Sequence, residues 1–405
     1  SLAMNAPLLP EIPSAYSLFL VGMLMIFTLL VRGVFIRRFM PLLIIYIGVG
    51  TVLGWLNTRI PLLDQGSRHS LGLLAEAGLV LLVFKVGLES DLNGLLKQLS
   101  SASWIWLWNV LFSGALGFAA AYYLADFSLL TSIFVGVALT ATSLGVTVTI
   151  WQDAKQLTTE RGNLFVDVAE LDDISSIVLM AILVALAPLL ADGQGIAALD
   201  VGTTLARVLA TLTAFVTACW VFSVYIEKRL TQFVERYETR HEPMVLMLSI
   251  GFIIAALAEL SGLSLAVGAF LAGLAFSRDT AAAKERVVFN GLYVVFTPFF
   301  FIGLGLHIDL SAFSTALWPG LVLLVAAIAG KILGSSLPAY RRLGFYGALL
   351  IGVSMIPRAE IAMVIMQKAL EAGAEPRAFT AMMVVTVGTV LLTSLTLPWL
   401  MRHEK

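Results

Sequence analysis

Long apolar runs separated by short polar joints occupy almost the whole chain. A helix needs about 20 predominantly apolar residues to cross the hydrocarbon core of a bilayer. Thirteen stretches approach or exceed that length: 16–33, 38–56, 70–88, 103–124, 130–151, 163–190, 201–226, 244–260, 262–277, 288–306, 314–338, 344–368 and 378–401. The pattern predicts an all-α polytopic membrane protein with thirteen transmembrane helices. The narrowest joint is Ser261-Gly262, between the eighth and ninth stretches. Merging those two would change the parity of the topology.

Charge placement favours keeping them apart. With thirteen spans, seventeen of the 25 Lys and Arg fall on one face of the membrane. Arg59, Arg68, Arg207, Lys368 and Arg377 fall on the other, and Lys85, Lys331 and Arg358 lie within spans. Cytoplasmic loops carry the excess of Lys and Arg, so the N-terminus is expected outside and the C-terminus inside. Merging the eighth and ninth spans would move Arg278 onward to the opposite face and erase the bias. The longest polar segment, 227–243, reads as a solvated connector between two halves, and no loop is long enough for a soluble domain.

Composition then narrows the class. Residues from AVILMFWYC make up 59% of the chain, charged residues 13%, and the mean hydropathy is +0.95. Soluble domains are about 45–50% apolar and about 25% charged. A soluble enzyme, a disordered chain and a nucleic-acid-binding domain are excluded. The lone Cys219 excludes a disulfide framework and a thiolate metal site. No basic region with a small-residue cleavage site precedes the first span, so no signal peptide is expected.

Two sequence matches suggest an internal repeat. Gly87-Leu88-Glu89-Ser90-Asp91-Leu92 closes the third span, and Gly305-Leu306-His307-Ile308-Asp309-Leu310 closes the tenth, an offset of 218 residues. Gly136-Val137 in the fifth span and Gly352-Val353 in the twelfth repeat at an offset of 216. Both pairs are seven spans apart. Seven is odd, so the copies run through the membrane in opposite directions. Inverted repeats with interrupted helices at the midplane are a hallmark of many secondary transporters.

Two spans carry such interruptions. The fifth contains Thr140-Ala141-Thr142-Ser143-Leu144-Gly145, and the twelfth Ser354-Met355-Ile356-Pro357-Arg358-Ala359-Glu360. Pro357 removes a backbone donor and clashes with the preceding turn. Backbone groups freed at membrane depth persist only where protein or a water-filled cavity satisfies them. Half-helices meeting there present opposed dipole ends. Arg358 is placed to face exposed carbonyls, and Glu360 an exposed helix N-terminus.

Ionisable residues inside a bilayer cost about 2.5–3.5 kcal/mol each on insertion scales and mark functional sites by default. The densest run, Asp167-Val168-Ala169-Glu170-Leu171-Asp172-Asp173, puts four carboxylates into seven residues of the sixth span. Asp172 and Asp173 point ~100° apart on a helix and can have different partners. A carboxylate able to hold either a proton or a cation supplies the minimal chemistry of an antiporter. The best cationic partner is Lys331 in the eleventh span, too deep to snorkel. Lys85 can snorkel past Glu89, and Glu76 has no clear assignment. No cluster of His or Cys suggests a transition-metal site.

Taken together, Phe84-x-x-Gly87-Leu88-Glu89, Thr140-Ala141-Thr142-Ser143, Leu171-Asp172-Asp173, Gly330-Lys331-x-x-Gly334 and Pro357-Arg358-Ala359-Glu360 resemble the monovalent cation:proton antiporter superfamily. The branch is that of the bacterial sodium/proton antiporters NapA and NhaA and the Kef potassium-efflux systems. The motifs occur in the family's order and cover nearly the whole chain. The resemblance implies an NhaA-like fold with an inverted-topology repeat and two crossed discontinuous helices. It implies a homodimer in the inner membrane, with a scaffold and dimerisation domain (16–88 and 201–306) and a mobile core (103–190 and 314–401). Transport would exchange Na+, or Li+ or K+, for protons by an elevator-like movement of the core. The protein would be neither an enzyme nor a nucleic-acid binder, and would need no cofactor beyond the transported ions.

By motif position, Asp173 matches the family's main ion- and proton-binding aspartate, and Asp172 the aspartate paired with a membrane lysine, here Lys331. Both aspartates would ligate the monovalent cation. Thr140, Thr142 and Ser143 match one unwound helix; Pro357, Arg358 and Glu360 match the other. Paired aspartates resemble the electrogenic members. Asp167, Glu170 and Lys85 depart from the pattern and, with Glu76, are candidate modulators. Two rival readings are a Kef-like potassium-efflux module regulated by a separate soluble domain, and a sensor or channel-like protein without coupled exchange.

Overall fold

The computed structural model describes residues 15–35, 42–89, 92–191, 198–227, 229–230, 243–277, 286–308 and 313–403. Regular structure among them is entirely helical. In chain order, α1 is Ala15–Phe35, α2 Leu42–Arg59, α3 Gln65–Glu89 and α4 Leu92–Ala119, which runs on as a π-turn over Ala120–Leu124. Helices α5 (Leu129–Ala138), α6 (Leu144–Asp153), α7 (Glu160–Ala191) and α8 (Ala198–Val221) follow. Then come α9 (Pro243–Leu260), α10 (Leu265–Phe276), α11 (Arg286–Leu306) and α12 (Phe313–Lys331, with a π-turn over Ile332–Ser336). The last three are α13 (Leu337–Ser354), α14 (Glu360–Glu371) and α15 (Pro376–His403). Eight described segments are long and apolar enough to cross a membrane, and several shorter apolar helices accompany them.

Some boundaries differ from those read from hydropathy. The ninth stretch shrinks to the 12 residues of α10. Gly262, at φ 84°, ends the preceding turn, and the Ser264 hydroxyl caps the new helix by accepting from the Val267 N–H at 3.3 Å. The eleventh stretch runs past residue 338 as far as Gly344. There φ is 69° and ψ −177°, and helical geometry breaks inside α13. Only glycine adopts that region without steric cost, so the eleventh and twelfth stretches separate at that residue. The charged connector at 231–242 and the motif residues Asp91 and Asp309 lie outside the described residues.

The chain divides into two compact units, 1–79 with 291–310, and 80–290 with 311–405. In the first, Leu24, Leu53, Leu63, Leu71 and Phe299 form an apolar cluster. Asp64 opens α3, its Oδ1 accepting from the Ser67 N–H at 2.8 Å. Bonds from the Ser67 side chain and backbone hold the Asp64 carboxyl below its ordinary range. In the second unit a larger cluster includes Trp151 stacked on Phe165, with centroids 5.8 Å apart and planes 6° from parallel.

The two glycines of the repeated Gly-Leu-x-x-Asp-Leu motif share a packing role. In the first unit a Cβ on Gly305 would strike the Ile47 carbonyl oxygen, and one on Gly50 the Ile302 carbonyl oxygen. In the second, a Cβ on Gly87 would strike the Phe270 carbonyl, and one on Gly273 the Phe84 carbonyl. Each motif glycine thus meets a partner glycine where two helix backbones touch, as small residues do in membrane helix packing.

The second unit also contains both interruptions. Residues between Ala138 and Leu144, and between Ser354 and Glu360, leave the helical conformation. The local causes differ. At the first, the Thr140 hydroxyl bonds back to the Val137 carbonyl at 2.7 Å, competing with the helical ladder as hydroxyl side chains do. At the second, Pro357 offers no N–H and disfavours helical geometry at Ile356.

Candidate functional site

The two interruptions join directly. The Ser143 backbone N–H donates to the Pro357 carbonyl at 2.8 Å, and the Ser143 hydroxyl to Glu360 Oε2 at 2.8 Å. Nη1 of Arg358 donates to the carbonyls of Met355 and Pro357, at 3.1 and 3.3 Å, and to Thr142 Oγ1 at 3.4 Å. The Arg358 backbone N–H donates to Thr389 Oγ1 at 3.1 Å. A guanidinium therefore lies against carbonyls freed at the C-terminal end of one half-helix, where the dipole favours a cation. Glu360 occupies the first turn of α14, where the dipole favours an anion.

Helix α7 brings its carboxylates to this junction. Asp172 is fully buried, and its Oδ2 accepts from Lys331 Nζ at 2.5 Å, Asn109 Nδ2 at 2.6 Å and Thr142 Oγ1 at 2.8 Å. Lys331, equally buried, also donates to the Thr140 carbonyl at 2.7 Å. It thus bridges α12, α7 and the first interruption. The Thr140 hydroxyl lies 2.8 Å from Ser176 Oγ, fixing the interrupted strand to α7 a turn beyond Asp172. The adjacent Ser175 Oγ accepts from the Trp106 indole of α4 at 3.0 Å.

Asp173 is buried beside this pair. Its carboxylate lies within electrostatic reach of Asp172, Glu360 and Lys331. Arg358 interacts electrostatically with both aspartates. Oδ1 of Asp172, Oδ1 of Asp173, and Nε and Nη2 of Arg358 are buried without a hydrogen-bond partner among the described residues. Two carboxylate oxygens with free lone pairs, flanked by the unwound backbone and hydroxyls of Thr140–Ser143, form a hard oxygen-donor set. Such a set suits a hard cation or a proton. The formal charges of Asp172, Asp173 and Glu360 outnumber those of Lys331 and Arg358 by one, so one added monovalent cation or proton balances the site.

Thus Thr140, Thr142, Ser143, Asp172, Asp173, Lys331, Pro357, Arg358 and Glu360 come together at one locus. Asp167 and Glu170 lie half-buried on α7, two turns and one turn before Asp173. Lys85 sits 3.8 Å from Glu89, one turn on, and Glu76 is exposed within the first unit. Asn109 and Ser335 escaped the sequence reading. Asn109 is a single amide among Trp, Leu and Val; its depth within an apolar span was the available signal. Trp151 and Thr147 were also missed. They tether α6 to the second interruption, through Nε1 to Ser354 Oγ at 2.9 Å and Oγ1 to the Ser354 carbonyl at 3.2 Å.

Comparison with known proteins agrees on one family. The profile described as "Sodium/hydrogen exchanger, transmembrane" matches residues 20–403. The Na(+)/H(+) antiporter of Enterococcus hirae is 28% identical over 381 residues, covering 91% of this chain and 92% of that protein. The high-affinity Na(+)/H(+) antiporter NhaS3 of Synechocystis is 28% identical over 342 residues, covering 82% and 70%. Among solved structures, the sodium proton antiporter MjNhaP1 of Methanocaldococcus jannaschii superposes with a TM-score of 0.73. It covers 96% of this chain and 98% of that one at 15% identity, a likeness of fold.

Proposed function

This chain belongs to the sodium/hydrogen exchanger family, and on that premise we propose that it exchanges a monovalent cation, Na+ first, for protons across the cytoplasmic membrane. The observation that carries the proposal is the fully buried Asp172–Lys331 pair at 2.5 Å beside a second buried aspartate with an unpartnered oxygen. Breaking a buried pair by removing one partner costs about 3–5 kcal/mol. A cation arriving at Asp172 and Asp173 replaces the ammonium and offsets that cost.

Asp173 alternates between cation and proton. Asp172 exchanges Lys331 for the cation, and Lys331 returns when the cation leaves. Because the site's carboxylates exceed its cations by one, cation and proton compete for the same balancing role; that competition couples the two fluxes. The transported ions are the substrates, and no cofactor enters the cycle. Thirteen spans with the N-terminus outside, an inverted repeat, a moving core (103–190 and 314–401), a scaffold (16–88 and 201–306) and a homodimer complete the proposal. The matched glycine crossings at Gly87 and Gly305 support the repeat.

The test uses proteoliposomes with an internal pH dye. Adding Na+, Li+ or K+ should dissipate an imposed proton gradient; failure of all three removes the exchange reading, and a response to K+ alone selects the potassium-efflux reading. Asp173→Asn should lower the response at least ~100-fold, and normal exchange by that variant would overturn the site. Clamping the voltage with valinomycin and K+ tests electrogenicity, since a rate indifferent to potential contradicts it.

A further inference from the structure

Asp172 is held asymmetrically. Three donors converge on Oδ2, while Oδ1 is buried with no hydrogen bond among the described residues. Of the three, Lys331 is the one that must leave for Asp172 to take a cation. Thr142 belongs to an interrupted, non-helical segment. Of the two donors that stay, Asn109 is the one on a helix, α4, and it is fully buried.

Asn109 is itself fixed. An ionised carboxylate only accepts hydrogen bonds, so the amide must turn its NH2 toward Asp172 and leave Oδ1 facing away. That Oδ1 accepts from the Ser335 hydroxyl at 3.0 Å, and Ser335 is also fully buried. A flipped amide would set its NH2 against Ser335 and its oxygen against the carboxylate. Ser335 lies four residues beyond Lys331, inside the π-turn Ile332–Ser336. One segment of α12 thus reaches Asp172 twice, through the Lys331 ammonium and through the hydroxyl–amide relay. The helices approach closely enough because Gly330 and Gly334 face α4: a Cβ on Gly334 would stand 2.7 Å from Asn109 Cα, and one on Gly330 2.9 Å from Ser113 Cα. π-turns in helices recur at functional positions.

We propose that Asn109, oriented by Ser335, is a positioning residue for ion exchange: it keeps Asp172 Oδ2 fixed while Lys331 departs, so that Oδ1 stays turned toward the incoming cation. The proposal deepens the exchange reading and rests on it. Asn109 does not touch the transported ion, and its removal acts on how well Asp172 is aimed. The effect falls on cation affinity more than on maximal rate, because the amide serves the cation-accepting geometry and not the translocation of the core.

The experiment measures initial Na+-driven proton flux by the full chain in proteoliposomes, over a range of Na+ concentrations at fixed pH. Asn109→Ala should raise the half-saturating Na+ concentration about tenfold with the maximal rate within about twofold of wild type. Ser335→Ala should raise it about threefold, and Ser335→Thr, which keeps the hydroxyl, should restore it. Because both act through one relay, the Asn109→Ala/Ser335→Ala double variant should match Asn109→Ala alone, whereas independent sites would give additive losses. Additive losses, an unchanged half-saturation in Asn109→Ala, or equal behaviour of the alanine and threonine variants of Ser335 would each overturn the proposal. Should Asn109→Ala not assemble, the Ser335 pair decides alone: native half-saturation in Ser335→Ala overturns it. Absence of Na+-driven flux in the wild type would instead remove the exchange reading itself.

Discussion

The two helix interruptions meet at one point yet are made of different chemistry. The first, around Thr140–Ser143, carries hydroxyls and bare backbone but no charge. It gives a carbonyl to Lys331, a hydroxyl to Asp172 and a hydroxyl to Glu360. The second, around Pro357–Glu360, carries a cation and an anion on either side of a proline-stiffened turn. Arg358 binds the second interruption's own freed carbonyls, whereas the Thr142 and Ser143 hydroxyls of the first turn to the neighbouring carboxylates of Asp172 and Glu360. The difference separates two tasks. In the proposed exchange, neutral ligands would line the ion's place, while the charges of Arg358 and Glu360 compensate the opened helix ends.

That division can be broken in order of expected effect. Arg358→Ala leaves the buried carboxylates facing Lys331 alone and strips Met355 and Pro357 of their donor. It should cost about 3–5 kcal/mol, lower the unfolding midpoint in detergent by several degrees and leave exchange near background. Pro357→Ala restores a backbone donor and lifts a helix-breaking penalty of about 3 kcal/mol, inviting a continuous helix. Exchange should fall about tenfold, while the folded fraction measured by size-exclusion chromatography stays near wild type. Thr142→Ala removes one neutral donor of three on Asp172. At about 1–1.5 kcal/mol per hydrogen bond, the half-saturating Na+ concentration should rise about fivefold to tenfold. Ser143→Ala keeps the backbone bond to Pro357 and loses only the hydroxyl on Glu360, so flux should drop about twofold to threefold. If Thr142→Ala unfolds the protein as readily as Arg358→Ala, neutral and charged interruptions do not divide the work.

How much of this was legible in the sequence depended on whether a residue broke a pattern. Asp172, Asp173, Lys331 and Arg358 stand out because charge is costly in an apolar span, and Pro357 because it cannot donate. The π-turn at Ile332–Ser336 was not legible, since nothing in Ile-Leu-Gly-Ser-Ser distinguishes a π-turn from an α-turn; tertiary packing against α4 decides it. Asn109 was hidden for a related reason. A neutral amide stands out less than a charge in a Trp- and Leu-rich helix, and its partners lie 63 and 226 residues away along the chain. The break at Gly344 was invisible because glycine is common in this chain, and only one conformation marks that position as a corner.

The backbone bond from Ser143 to Pro357 has a consequence for how such a chain is made. Its two ends are 214 residues apart, in segments that leave the ribosome at different times. At the usual rate of about 5–20 residues per second, the first interruption emerges about 10–40 s before the residue that completes it. For that interval its exposed amides need a substitute, from water in the insertion channel or from the translocation machinery. Assembly of this protein therefore has a built-in waiting period, and a ribosome stalled between the two segments would strand a nascent helix whose polar middle has no mate.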